Sequence, residues 1–182
     1  MIRRAFQRIV GNRTIRDLYG AIVAQARRPT LYADYGVPDT VEGRFDLIVL
    51  HLVLLLRQIG RETGVRQGRG LGQELFDAFC RDLDDNLREM GVGDLAVPKQ
   101  MRRFAEAFYG RQAAYLAALD AADDRAFEKA LARNIFQAGG VDERAPRLAR
   151  YARAVLKRLE AQGSAIGRGT VAFPNPEDFV DA

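Results

Sequence analysis

The only histidine of this 182-residue chain, His51, is the side chain best suited to proton chemistry, and it interrupts an apolar run at residues 47–56. Steps of seven residues place Arg44, His51 and Gln58 on one line of an ideal helix, about 20° apart per step, and Glu62 falls near the same line. One interpretation of this polar seam is partner recognition or a proton-sensitive switch, because histidine titrates near neutral pH. The other is a buried histidine satisfied by an aspartate or by backbone. The spacing alone leaves both open.

Other residues give little support to catalysis or metal binding. A single histidine excludes a His-cluster metal site, and the single cysteine, Cys80, excludes an internal disulfide and is expected to pack as a small apolar residue. A Ser/His/Asp triad would need His51 in mid-helix. The glycine-rich residues 68–72 lack the Lys-Ser/Thr pair of a phosphate loop, and they are predicted to form a turn. We therefore expect no enzymatic activity, no catalytic residues, no metal and no cofactor.

Helical periodicity dominates the sequence, and strand patterns are almost absent. We predict an all-α protein: a single compact domain of six to seven helices around a central apolar helix, in which Leu52 and Leu55 are buried. Its predicted parts are a basic N-terminal segment (residues 1–13), a helical domain (14–162) and a tail containing glycine and proline (163–182). The helices are predicted at residues 14–27, 40–60, 71–90, 99–120, 124–137 and 142–162.

Several residues are predicted to shape the helix ends and the contacts between helices. Asp39 is expected to cap the helix at residues 40–60, with Glu42 reaching back from three positions further on, as in a capping box. Gly91 can adopt the left-handed conformation that ends a helix. Gly110 lies inside a helix at a cost of about 1 kcal/mol relative to alanine. We expect Gly110 to allow the backbone of a neighbouring helix to approach closely.

Basic residues outnumber acidic residues by 28 to 24, which gives a formal net charge of +4, and only three of the basic residues are lysine. The charges are spread along all the predicted helices without a dense run, which argues against a dedicated nucleic-acid stripe. The arginine content and an isoelectric point near 9.5 keep one alternative open, a basic helical nucleic-acid-binding module. A helical scaffold that holds no client protein is another.

The apolar run at residues 47–56 is too short to cross a bilayer, because it has ten residues and a span needs about 20. No secretory signal is visible after the basic residues 1–10, which form a weakly amphipathic segment that could lie on an anionic membrane or fray. We expect the chain in the cytoplasm, with peripheral contact to the inner membrane, or in the equivalent mitochondrial matrix.

Three motifs together resemble one protein family. They are residues 36–46 (GVPDTVEGRFD) with the apolar run that follows, residues 87–94 (LREMGVGD) and residues 107–111 (AFYGR), in that order. This pattern is similar to that of the ubiquinol–cytochrome c chaperone family, whose members are assembly factors for the respiratory cytochrome bc1 complex. The resemblance covers about residues 30–138 and leaves the first dozen residues and everything after about residue 145 outside it.

The resemblance implies an assembly chaperone whose client is newly made cytochrome b. It also implies that the basic residues could bring the chain to a ribosome or a membrane surface, and that a small partner protein could assist it; specific nucleic-acid binding is not expected. We expect the client-contacting residues to converge on one side of the domain; they are Arg44, His51, Gly91, Gly93, Asp94, Lys99, Tyr109 and Arg111. The residues expected to have structural roles, with Arg44 or Asp46 anchoring the adjoining loops, are Asp39, Glu42, Phe45, Asp46 and Gly110.

Overall fold

The computed structural model describes residues 2–62, 65–121 and 123–180, and within these ranges it contains seven α-helices, two short 3-10 helices and no β-strand. The prediction of an all-α fold with six to seven helices is therefore confirmed. The 3-10 helices are Gly163–Arg168 and Pro176–Phe179. The α-helices are α1 (Ile2–Ala26), α2 (Pro29–Ala33), α3 (Val41–Glu62), α4 (Val65–Glu89), α5 (Val97–Asp120), α6 (Asp124–Asn134) and α7 (Ala145–Glu160).

Helix α3 is the centre of the domain, as predicted from its apolar sequence. It contacts α1, α4, α5 and α7, and every residue from 49 to 55 is buried. Leu52 and Leu55 have no exposed surface, which confirms the expectation for both. Replacing either leucine with alanine should cost about 2–5 kcal/mol, because the space it leaves cannot collapse fully.

Two predictions about where helices begin are wrong, one for α1 and one for α4. Residues 2–13 are not a separate segment, because α1 begins at Ile2 and continues to Ala26. Residues 68–72 do not form a turn, because they lie inside α4, which begins at Val65. The single glycines of that stretch interrupt the helical pattern in the sequence, yet a glycine in a helix costs only about 1 kcal/mol, which tertiary packing overrides.

The N-terminus of α3 is capped by Thr40 and not by Asp39. The Gly43 N–H donates to the Thr40 hydroxyl oxygen at 3.1 Å, which satisfies one of the free donors of the first turn. Glu42 does not occupy the position that a capping box requires, because that third helical position is Gly43. Asp39 pairs instead with the Arg44 side chain at 2.7 Å, so Arg44 does anchor the adjoining loop as predicted.

Gly43 is a glycine because the chain before α3 folds directly over it. A Cβ atom on Gly43 would lie 2.0 Å from the carbonyl oxygen of Pro38, closer than any side chain tolerates. Gly110 is the opposite case: a Cβ there would meet nothing within 4 Å. The predicted close approach of a neighbouring backbone at Gly110 is therefore wrong, and that property belongs to Gly43.

The turn between α4 and α5 ends α4 in the way the sequence predicted. Gly91 has a φ of 79°, in the left-handed region. Its N–H donates to the Arg88 carbonyl at 2.9 Å, and the Val92 N–H donates to the Leu87 carbonyl at 3.0 Å. This pair of bonds is the Schellman motif, which satisfies the last carbonyls of the helix.

The segment after α7 packs against the helices and is part of the same domain. Ile166 and Pro176 are buried, and the two 3-10 helices contact α1, α2, α3 and α7. We call residues 169–180 the C-terminal strap. The predicted boundary at residue 162 therefore lies inside the folded unit. In the described part of the chain no helix combines the length and the apolar character that crossing a bilayer requires.

Candidate functional site

His51 is fully buried and hydrogen-bonded at both ring nitrogens. Its Nδ1 lies 2.7 Å from the Leu47 carbonyl oxygen, and because a carbonyl can only accept, Nδ1 carries the proton. Its Nε2 accepts from the Tyr151 hydroxyl at 2.8 Å. Burial lowers the pKa of His51 to about 4, so the ring is neutral at pH 7.

The bonds of His51 continue to the C-terminal strap. The Gln25 side-chain amide donates to the Tyr151 hydroxyl at 2.7 Å and to the Pro174 carbonyl at 2.8 Å. The Phe173 ring meets the His51 ring edge-on, with centroids 5.5 Å apart. His51 therefore joins α3 to α1, α7 and the strap. A residue without exposed surface cannot contact a client in this conformation, so we remove His51 from the candidate contact residues.

The polar seam of α3 runs from the surface into the core. Arg44 is exposed at its start, whereas His51 and Gln58 are both buried. The side chain of Glu62, the last member of the predicted seam, lies outside the described residues. The interpretation of a hydrogen-bonded core histidine is the one that matches the structure, with a tyrosine as the partner that the sequence did not reveal.

Arg111 ties α5 to α3 through a buried carboxylate. Its Nη2 lies 2.7 Å from Oδ1 of Asp46, and its guanidinium lies 5.5 Å from the centre of the Phe45 ring. Burial raises the pKa of Asp46 to about 6, and the positive charge of Arg111 opposes that rise. Asp46 thus contacts a helix, where a loop was predicted. Arg111, predicted as a client contact, pairs with this buried carboxylate while 21% of its own side chain stays exposed.

The predicted loop residues lie at the surface, on the turn between α4 and α5. Gly91, Gly93 and Lys99 are exposed, and Asp94 pairs with Arg88 at 2.5 Å. Arg88 also pairs with Asp84 at 2.6 Å, so it connects the turn to the last part of α4. Asp94 therefore braces the turn through Arg88, and the residues beside it are accessible.

Tyr109 is the predicted residue with the clearest surface role. It is 55% exposed, and its ring lies against Phe76 of α4 and Phe108 of α5, with centroids 5.7 and 5.4 Å apart. The ring borders a groove of about 250 Å³ between α3, α4 and α5. The residues that line this aromatic groove are Leu56, Gly72, Gln73, Phe76, Phe108, Tyr109 and Gln112.

Most residues that line the aromatic groove could not be predicted from the sequence. Phe76 belongs to the apolar stripe of α4, a pattern that predicts core packing, and nothing in the pattern shows that it is only partly covered. Leu56 and Gln112 come from two other helices, and only the tertiary arrangement brings them to Tyr109. Gly110 is exposed directly beside Tyr109.

The predicted contact residues do not all converge. Lys99 and Tyr109 share the exposed face of α5, whose members also include Arg102, Arg103 and Glu106. Arg44 lines a different open cavity, with Arg27, Tyr32 and Asp39. His51 is buried, and Arg111 points to the buried Asp46 while part of its side chain stays at the surface. The predicted single surface is thus reduced to one face of α5 with the turn that precedes it.

Comparisons with known proteins assign the family. The model of the family described as "Ubiquinol-cytochrome C chaperone" matches residues 33–173. The chain belongs to this family. The match extends well past residue 138, where the predicted resemblance ended, and it includes α7 and the beginning of the C-terminal strap. Those regions lack a recognisable motif, although they hold the partners of His51.

Two similar proteins support the assignment. The chain is similar to the crystal structure of the Cbp3 homolog from Brucella abortus, with 34% identity, a TM-score of 0.83, and coverage of 98% of this chain and 99% of that one. It is 28% identical over 151 residues to ubiquinol-cytochrome c reductase complex assembly factor 1 of Drosophila melanogaster. That match covers 79% of this chain and 57% of the fly protein, so this family member spans little more than half of that relative.

Proposed function

We propose that the chain is an assembly chaperone for the ubiquinol–cytochrome c reductase (bc1) complex and that its client is newly made cytochrome b. Membership of the ubiquinol–cytochrome c chaperone family supports the role. The observation that carries the client proposal is the aromatic groove with Tyr109 at its edge, because it lies within the family-matched region and is open to a partner.

The chemistry of the groove suits an apolar segment of a membrane protein. Tyrosine buries a large apolar ring at an interface while its hydroxyl keeps a polar contact, and it is favoured among the residues that dominate binding energy. The groove, at about 250 Å³, is smaller than the roughly 300–1,000 Å³ of small-molecule pockets. We therefore propose that it receives one or a few side chains of a client helix and does not hold a metabolite.

Gly110 adds to the proposed contact. No internal contact explains a glycine at this exposed mid-helix position, because a Cβ would meet nothing within 4 Å. The absence of a side chain lets a partner backbone approach α5 closely beside Tyr109. We propose that the client helix packs over this point, with Lys99 on the same face of α5.

The test is co-purification of cytochrome b with variants of the chain in cells that lack the unaltered copy. Tyr109→Ala and Gly110→Leu should each leave the domain folded, since both positions are exposed, and at matched folded fraction each should recover several-fold less cytochrome b. Val41→Ser is the matched control, because it removes an exposed apolar side chain outside the groove. Full recovery by both groove variants would place the client elsewhere.

The assembly role is tested separately from the groove. Deletion of the gene should lower the cytochrome b absorbance of membranes and the amount of assembled bc1 complex, and expression of the unaltered chain should restore both. Normal levels of both after deletion would overturn the proposed function, whatever the groove variants do.

A further inference from the structure

The C-terminal strap lies on the helices as an extended chain, in the manner of a bound peptide. Residues 170–175 form neither helix nor strand, and Pro174 and Pro176 each keep the residue before them extended. Pro176 is the buried residue of the strap, and its other residues are half-buried or exposed. The surface that receives the strap is by contrast continuous with the core, because Tyr35 and Tyr151 have no exposed surface.

The domain holds the strap through the backbone carbonyls of alternate residues. The Gln162 side-chain amide donates to the Ala172 carbonyl at 2.8 Å, and its oxygen accepts from the Ala172 N–H at 2.7 Å. Gln25 and the Tyr35 hydroxyl donate to the carbonyls two and four residues further along the strap, each at 2.8 Å. Side chains from three separate segments thus bind main-chain groups of an extended chain, which is how proteins commonly recognise peptides.

Side chains of the strap add contacts that depend on its sequence. The Phe173 ring meets the His51 ring edge-on, with centroids 5.5 Å apart. The Glu177 carboxylate pairs with Arg28 at 2.9 Å, and its other oxygen accepts from the Thr30 hydroxyl. The receiving surface therefore suits an extended segment in which an aromatic residue comes four positions before an acid.

The end of this surface that binds the acid is basic without the strap. Burial raises the pKa of Tyr35 to about 12, and the charges of Arg147 and Arg150 oppose that rise, so both cations lie near the hydroxyl. Asp34 is the acid of the surface itself that acts on the same hydroxyl. The acidic partner of Arg28 belongs to the strap. Three arginines therefore face one aspartate, a net charge of +2 that complements an acidic ligand.

A glycine hinge joins the strap to the domain. Gly169 has a φ of 87°, in the left-handed region, and a Cβ atom there would lie 3.0 Å from the Thr14 Cα. Gly167 is exposed, and a Cβ atom there would meet nothing within 4 Å. Glycine adopts backbone angles that other residues avoid, so this point can absorb the rotation that lifts the strap from the helices.

We propose that the surface under the strap is a peptide-binding site and that the C-terminal strap is its exchangeable, autoinhibitory occupant. The ligand is an extended segment of a partner protein with the chemistry of the strap: an aromatic residue, alternate prolines and an acid. We call this surface the strap groove; the residues of the domain that define it are Gln25, Arg28, Tyr35, His51, Tyr151 and Gln162.

The strap sets the conditions under which the strap groove binds a partner. Strap and ligand need the same donors, so the ligand binds only those molecules in which the strap has opened. The strap is attached to the domain and therefore competes at a high effective concentration. A partner segment displaces it only when the segment is itself concentrated beside the domain. None of the residues that define the strap groove lines the aromatic groove, so the two sites are separate.

The experiment measures binding of a labelled synthetic peptide, residues 169–180, to the full chain by fluorescence anisotropy. Phe173→Ala with Pro176→Ala weakens the strap and leaves the strap groove unaltered, so this variant should bind the peptide at least tenfold more tightly than the unaltered chain. Adding Tyr35→Phe should weaken that binding about fivefold, because one donor is lost. The matched control is Asp178→Asn, which changes an exposed strap residue and should bind the peptide as weakly as the unaltered chain.

Hydrogen exchange of the unaltered chain tests the opening of the strap without any variant. The Ala172 N–H donates to Gln162, and it should exchange at least a hundredfold faster than the N–H of the buried Leu52, after correction for intrinsic rates. This difference should be present at urea concentrations far below global unfolding. Equal rates would mean that the strap leaves only when the whole domain unfolds, which contradicts an exchangeable occupant.

Two results of the peptide experiment would also overturn the proposal. One is no binding by the folded variant with Phe173→Ala and Pro176→Ala, and the other is equal binding of a peptide that carries both alanines itself. A dimer of the unaltered chain that these two substitutions abolish would instead assign the strap groove to the strap of a second copy. These measurements contain no cytochrome b, so they are independent of the test of the proposed client.

Discussion

The carboxylate of Asp46 on α3 and the guanidinium of Arg111 on α5 form an ion pair across the core, with 2.7 Å between Oδ1 and Nη2. Asp46 is buried, whereas Arg111 keeps part of its side chain at the surface. Burial of the carboxylate is costly, and this cost is offset only while the arginine is present. The pair therefore explains why two residues of the family-like motifs are charged at a helix interface.

Replacing Arg111 with methionine should destabilise the domain by about 3–5 kcal/mol, because it leaves a buried carboxylate without its partner. Adding Asp46→Leu to that variant should restore part of the loss, since the stranded charge is then gone. Urea unfolding measures both. A loss below about 1 kcal/mol for Arg111→Met would show that water reaches Asp46.

Asp46 and His51 should have opposite effects on stability in the same pH range. The pKa of Asp46 is raised from 3.8 to about 6, so the folded state holds a proton that the unfolded state has lost, and stability falls as pH rises through this window. The pKa of His51 is lowered from 6.5 to about 4, so the unfolded state binds the additional proton, and stability rises with pH there. Each effect is on the order of 3 kcal/mol.

Single variants should separate the two effects. From pH 4 to 6.5, the free energy of unfolding of Asp46→Asn should rise more steeply than that of the unaltered chain, and that of His51→Gln should rise less or fall. Urea titrations at both ends of the range measure the difference, with the unaltered chain as the reference for all other carboxylates. Parallel pH profiles for the three proteins would mean that neither group titrates differently on folding.

The C-terminal strap should contribute directly to stability. The Tyr35 hydroxyl donates to the Pro176 carbonyl at 2.8 Å, and Gln25 donates to the Pro174 carbonyl. A chain that ends after Arg168 loses both bonds and the cover over His51. Its free energy of unfolding should therefore fall by on the order of 3–5 kcal/mol. Glu177→Gln keeps an oxygen that can accept from the Thr30 hydroxyl and removes only the charge of the exposed pair with Arg28, so this control should melt almost unchanged. An unchanged melting temperature on truncation would show that residues 169–180 add nothing to the stability of the folded unit.

The positions of the long helices were predictable because periodicity is a local signal. Helices α3 and α5 begin and end within about two residues of their predicted limits, and Gly91 ends α4 as its backbone freedom indicated. The environment of His51 was not predictable, since its partner Tyr151 is 100 residues away in sequence. The strap has no periodic pattern, and its packing depends on distant residues such as Tyr35. The aromatic groove was not predictable for the same reason, because its lining residues come from three helices that meet only in the folded domain.

Thr40 should matter more than Asp39 for the start of α3. Both residue types are good caps, so the sequence could not choose between them, whereas the backbone places the Thr40 hydroxyl at the Gly43 N–H. Thr40→Ala should cost about 1 kcal/mol. Asp39→Ala removes only an exposed contact with Arg44, so its melting temperature should stay close to that of the unaltered chain. The reverse order in thermal unfolding would contradict the assignment of the cap.

Gly43 and Gly110 should respond in opposite directions to the same substitution. Gly43→Ala forces a methyl group to within 2.0 Å of the Pro38 carbonyl oxygen, so the turn before α3 must move and the domain should lose more than about 2 kcal/mol. Gly110→Ala places its methyl group in open space and reduces the freedom of the unfolded chain, so it should add about 0.5–1 kcal/mol. Both are measured by urea unfolding, and each is the control of the other because both are helical glycines.

If Gly110→Ala is destabilising, α5 has a contact at this point that the open space does not reveal. If Gly43→Ala is neutral, the loop at Pro38 shifts without cost, and the close approach cannot be the reason for glycine there.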